Sequence, residues 1–133
     1  MQGVRVIAVC LLSGAGIAAH AAEELYLFDS QAACQAWERS GHTLEGITQL
    51  PEMEGALALF SKGMFALEYS CSFEPALDLM VETPTITTHV GHCLEPGFVT
   101  PGLFTFSVDR VYDHNVTLFD GSETPTVFYF CGE

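Results

Sequence analysis

From Ala56 to Cys131 apolar residues recur at every second position, in short runs separated by turn formers. Phe65, Leu67, Tyr69, Cys71 and Phe73 alternate with Ala66, Glu68, Ser70, Ser72 and Glu74. A strand with one buried and one wet face has this pattern. Ala56 to Phe60 precedes it across Ser61-Lys62-Gly63, so the two runs read as a β-hairpin whose second arm is Met64 to Glu74. Pro75 ends that arm. Leu77, Leu79 and Val81 alternate with Asp78 and Glu82, which predicts a further strand over 76–82. Thr83-Pro84 breaks it, and the β-branched run Thr85 to Val90 predicts the next. Glu95-Pro96-Gly97 and Pro101-Gly102 read as turns. Strands over 103–108, 116–119 and 126–131 follow, with Asp113-His114-Asn115 and Asp120-Gly121 turning the chain between them.

The period is different upstream. Glu24 to Phe28 is a short apolar strand, and Asp29 and Ser30 supply N-cap oxygens for a helix over Gln31 to Arg39. Ala32, Ala33, Ala36 and Trp37 form one apolar stripe on it, and Gly41 suits the residue after its end. His42 to Met53 is irregular, with room for one helical turn starting at Pro51. The predicted fold is mainly β (α+β): one N-terminal helix packed on an antiparallel sheet, as a sandwich or small barrel of about seven or eight strands. No βαβ alternation occurs, which argues against a parallel sheet with its ligand crevice.

The first residues read differently again. Arg5, the apolar run Val6 to Leu12 and the small-residue motif Ala19-His20-Ala21 make Met1 to Ala21 a secretory signal peptide, cleaved between Ala21 and Ala22. Its apolar stretch is shorter than the roughly 20 residues that span a bilayer. The expectation is a single domain over 22–133 that is periplasmic or secreted, with no membrane span after cleavage. The leader contains Cys10 and leaves Cys34, Cys71, Cys93 and Cys131. An even count in a small exported domain implies two disulfides. Of the three connectivities, Cys71–Cys93 with Cys34–Cys131 is favoured, joining central strands and tying the helix to the last strand. No close cysteine pair of the kind that binds zinc is present.

Charge then narrows the partner. The chain has 4 Lys+Arg against 17 Asp+Glu, a net charge of −13, and losing Arg5 with the leader makes it −14. Such a domain would repel a phosphate backbone, so nucleic-acid binding is excluded. A basic protein, by contrast, would be drawn in by the field.

Candidate chemistry is sparse. His89, His92 and His114, near Glu95 and Asp113, could ligate a metal or pass protons, but His89 and His92 fall on opposite faces of a strand. Glu52/Glu54, Asp109/Asp113 and Asp120/Glu123 are local carboxylate pairs that suit solvated turns as well as a glycosidase cleft. Asp113, Asp120 and Glu123 lack the spacing of an EF-hand calcium loop. No GxSxG motif and no unpaired cysteine of the mature chain offers a nucleophile. No cofactor is implied. Aromatics crowd the C-terminal third, and in Phe128-Tyr129-Phe130 they occupy both faces of a strand, so one face needs a second layer or a partner. The sequon Asn115-Val116-Thr117 matters only in a glycosylating pathway, and the Ala-rich leader looks bacterial.

The expected function is that of a small exported acidic binding protein, of inhibitor or immunity type. It would capture a basic partner such as a cationic hydrolase (a lysozyme, for instance) or a secreted toxin. Glu68 and Glu74, on the wet face of the clearest strand, are the expected contacts. Two alternatives stand beside it: a small periplasmic hydrolase or metal-handling protein using the histidines, and a carrier of an apolar ligand inside a barrel.

Overall fold

The computed structural model describes residues 23–47 and 50–132; the predicted leader and its Ala21/Ala22 cleavage site lie outside the described residues. Eight strands follow one another around a closed antiparallel barrel. They are β1 (Leu27–Phe28), β2 (Ala58–Phe60), β3 (Gly63–Ala66), β4 (Tyr69–Glu74), β5 (Thr85–Glu95), β6 (Phe98–Asp109), β7 (Asn115–Phe119) and β8 (Thr126–Phe130). β1 pairs with both β2 and β8 and so closes the ring. Of the two predicted architectures the barrel is correct and the sandwich is not.

The eight strands are not the eight read from the pattern. The long second arm is two strands, because Leu67 and Glu68 form a two-residue turn that sets Ala66 opposite Tyr69 and Met64 opposite Cys71. Across such a turn the alternation changes face. Met64 therefore shares the inside with Cys71 and Phe73, while Phe65 points outward and Leu67 is 82% exposed. Segment 76–82 pairs with no strand. It crosses the barrel end where the β2–β3 turn lies, its Leu77 amide donating to the Ser61 carbonyl at 2.7 Å. Leu77 and Leu79 alternate because they plug the core from below. Pro101-Gly102 is no turn but part of β6. In the register set by the Glu95–Phe98 hairpin closure, the residue 101 amide faces away from β5, and β7 pairs with β6 only from Thr105 to Asp109. Proline there sits on an open edge and breaks no ladder bond.

Inside the barrel Leu27, Leu59, Phe73, Phe106, Val108, Leu118 and Phe128 are almost fully buried, as expected where an eight-stranded barrel is just wide enough to be filled by side chains. α1 (Gln31–Arg39) lies on the outside. Its Ser30 N-cap hydroxyl accepts the Ala33 amide at 3.1 Å, and Gly41 leaves it with φ 69. Ala33, Ala36 and Trp37 cover Phe28, Ala58 and Phe65 on the outer faces of β1, β2 and β3. α2 (Leu44–Ile47) and a 3-10 turn (Pro51–Met53) continue this layer; α2 falls in the stretch read as irregular. Both disulfides are present: Cys34–Cys131 ties α1 to the residue after β8, and Cys71–Cys93 joins directly opposed positions of β4 and β5.

Candidate functional site: the uncovered face of the barrel

α1 covers the outer face on the β1–β3 side and leaves that of β4, β5 and β6 open. The ladder registers lay out this open face in three rows. Glu74, Val90 and Leu103 form one; Ser72, His92 and Pro101 the next; Ser70, Leu94 and Val99 the third. Val90 is 65%, Val99 67% and Leu103 64% exposed, and Leu94 is also exposed. A single exposed leucine is ordinary, but four neighbouring apolar side chains on one sheet face mark a contact surface. Ile86 and Phe119, also exposed, extend the face toward the other end of the barrel.

Two glycines shape its flank. A Cβ on Gly91 would lie 2.0 Å from the Ser72 carbonyl oxygen, and one on Gly63 would lie 2.3 Å from that of Cys71. β4 is thus held close to both neighbours as it coils. The result is an open groove beside β4 and β5, lined by Lys62, Ser72, Glu74, Pro75, Val90 and His92 among others. Ser72 Oγ stands 3.4 Å from His92 Nε2 there. Among the described residues no carboxylate holds the other ring nitrogen, so the pair lacks the orienting group of a nucleophile–base system.

A second hollow lies at the opposite end of β4, lined by Leu67, Glu68, Tyr69, Glu95, Pro96 and Phe98 among others. The Tyr69 hydroxyl donates to Cys93 Sγ at 3.3 Å, since a disulfide sulfur has no proton to give. Burial raises the Tyr69 pKa above that of a free phenol, and the charges of Asp120 and Glu95 add to the effect. Phe98, at the hairpin tip, is 70% exposed.

The histidines are scattered. His89 points into the core between Phe73 and Phe106. Its Nδ1 donates to the Pro75 carbonyl at 2.6 Å, which leaves Nε2 to accept from Thr87 Oγ1 at 2.7 Å. His92 is on the open face, and His114 is in the turn between β6 and β7 with φ 50. No group of three metal-ligating side chains occurs among the described residues. The acids serve turns. Asp109 Oδ1 accepts the amides of Val111 and Tyr112, and Asp120 Oδ1 accepts that of Ser122. The Ser122 hydrogen bonds, side chain first, hold the Asp120 carboxyl below its ordinary pKa. Asp113 lies in the turn before β7 and Asp120 and Glu123 in the turn after it, so these three do not form one site. Glu52 pairs with Arg39.

Of the two expected contacts, Glu74 is on the open face beside Val90, whereas Glu68 belongs to the β3–β4 turn at the second hollow and not to a strand. Sequence reasoning missed Val99 and Leu103 as surface residues, because Pro101-Gly102 between them had the signature of a turn. The aromatic crowd divides between core and surface. Phe104, Phe106, Phe128 and Phe130 are buried, while Phe98, Tyr112 and Phe119 are exposed. No helix among the described residues is long and apolar enough to cross a membrane. Comparison with protein-family models, curated proteins and solved structures returns no match.

Proposed function

We propose that this protein is an exported acidic binding protein that captures a basic partner protein. The observation that carries this reading is the open apolar face of β4–β6 on a chain of net charge −13. Charge steers encounter with an oppositely charged partner, and desolvated apolar contacts hold the complex once formed. Two disulfides, typical of oxidising compartments, support export. The packed barrel core favours this reading over a carrier of apolar ligands. The dispersed histidines favour it over a metal or acid–base enzyme.

The test is capture on immobilised residues 22–133 from periplasmic or secreted extract, followed by elution with denaturant. The expected eluate is dominated by a protein of basic isoelectric point. Recovery of no protein, or only of acidic ones, would overturn the reading.

A further inference from the structure

We propose that the outer face of the β5–β6 hairpin, around Val90, Leu94, Val99 and Leu103, is where a basic protein docks, seated on the face and not on the sheet edge. This rests on the reading above and adds the place and the manner of contact.

The location follows from what covers each side of the barrel. Phe28, Ala58 and Phe65 turn outward from β1–β3; beneath α1 the first two are buried and Phe65 is partly buried. Val90, Leu94, Val99 and Leu103 turn outward from β5–β6 and nothing in the chain's described residues covers them. Equivalent positions of one barrel wall thus carry apolar side chains with and without a second layer.

Two occupants can be weighed against the basic protein. A second copy would bring together two bodies of net charge −13, and like charges across an interface are costly. A strand added from another chain would use the open edge of β6 between Phe98 and Phe104. Pro101 is in the middle of that edge, at a position whose amide would have to donate to the incoming strand. Proline cannot donate, and it is a recognised block to edge pairing. What remains is a partner that lies on the side chains.

Charge states the chemistry of that partner. The whole hairpin from Thr85 to Asp109 contains no Lys or Arg, and it carries Glu95 and Asp109. Glu74 is in the same row as Val90 and Leu103. Among the described basic residues, Arg39 is engaged with Glu52 on the α1 side, Arg110 stacks over Phe130 at the lower end of the barrel, and Lys62 lines the groove at the β4 side of this face near Glu74, so the attraction for a basic partner comes from the net charge of the whole chain and not from the face alone. A partner with an apolar centre ringed by lysines or arginines is therefore complementary to this face.

The experiment uses the oxidised mature protein with lysozyme and cytochrome c as basic, folded probes, each measured at low ionic strength. Three variants are compared with wild type. Leu94→Ser/Val99→Ser/Leu103→Ser removes apolar contacts from exposed positions. Glu74→Lys reverses a charge on the face, and Glu38→Lys makes the same change on α1, on the covered side. Circular dichroism and urea midpoints confirm that each folds. The expected result is at least tenfold weaker binding for the triple variant and for Glu74→Lys, with less than threefold for Glu38→Lys. Equal losses for the two charge reversals, or an unaffected triple variant, would overturn docking on this face while leaving capture of basic proteins intact. Binding of neither probe by the wild type would overturn both. Dimerisation of the wild type in sedimentation, abolished in the triple variant, would assign the face to a second copy and overturn the basic occupant.

Discussion

At the scale of single residues, buried polar and sterically closed positions account for the strongest constraints. The His89 ring fills space between two phenylalanines while both of its nitrogens are satisfied. His89→Ala removes the ring and leaves the Pro75 carbonyl without its donor, so a loss of about 3 kcal/mol in urea-unfolding stability is expected. A loss under roughly 0.5 kcal/mol would contradict the buried, bonded position. Gly91→Ala places a methyl against backbone rather than a movable side chain. It should destabilise by at least about 1–3 kcal/mol, the usual range for overpacking, and a neutral variant would show that β4 does not approach β5 so closely. Tyr69 gives a pH signature. Its pKa is raised in the folded protein, chiefly by burial, so folding favours the protonated phenol. That contribution is intact below the free phenol's pKa of about 10 and is lost as pH rises through the folded value. Tyr69→Phe should therefore flatten the alkaline fall in thermal stability, and an unchanged alkaline limb would contradict the assignment. Little of this could be read beforehand. Parity set His89 and His92 on opposite faces without saying which points inward, and the Pro75 carbonyl that accepts from His89 lies across a chain reversal that no local pattern signals.

At the scale of elements, alternation located β-structure but not always the ladder. In Met64 to Glu74 it continues unbroken through a turn, because Phe65 is apolar for a different reason from Cys71. Phe65 meets α1 outside the barrel, and Cys71 meets the core. Leu77 and Leu79 alternate like a strand since an extended segment crossing a barrel end also buries every second residue. Pro101-Gly102 carries turn chemistry that an open edge tolerates equally well. The cysteines were more legible, because Cys34, Cys71, Cys93 and Cys131 admit only three pairings. Their two loops also differ in a measurable way. Cys34–Cys131 spans 97 residues and Cys71–Cys93 spans 22. In the chain-entropy account the longer loop contributes more, by about 1 kcal/mol. Cys34→Ala/Cys131→Ala should accordingly unfold at lower urea than Cys71→Ala/Cys93→Ala, and the reverse order would place the main constraint within the β4–β5 ladder.

At the scale of the whole molecule, a small barrel with a filled interior, a helical layer on one side and a bare apolar face on the other is charged at −13. Composition made the charge legible. The face was not, because its four apolar residues come from two strands whose register is set by a hairpin closing at Glu95 and Phe98. Steering by a net field has a defined dependence on salt, since the Debye length falls from about 10 Å at 0.1 M to about 3 Å at 1 M. Neutralising Glu74 on the face and Glu68 in the β3–β4 turn should reproduce part of that effect without added salt. The most direct measurement is the association rate of the mature protein with its captured basic partner across that range, for wild type and for Glu68→Gln/Glu74→Gln. The account expects the wild-type rate to fall at least tenfold with salt while dissociation changes little, and the double variant to start slower and fall less. An association rate that does not depend on ionic strength would contradict it.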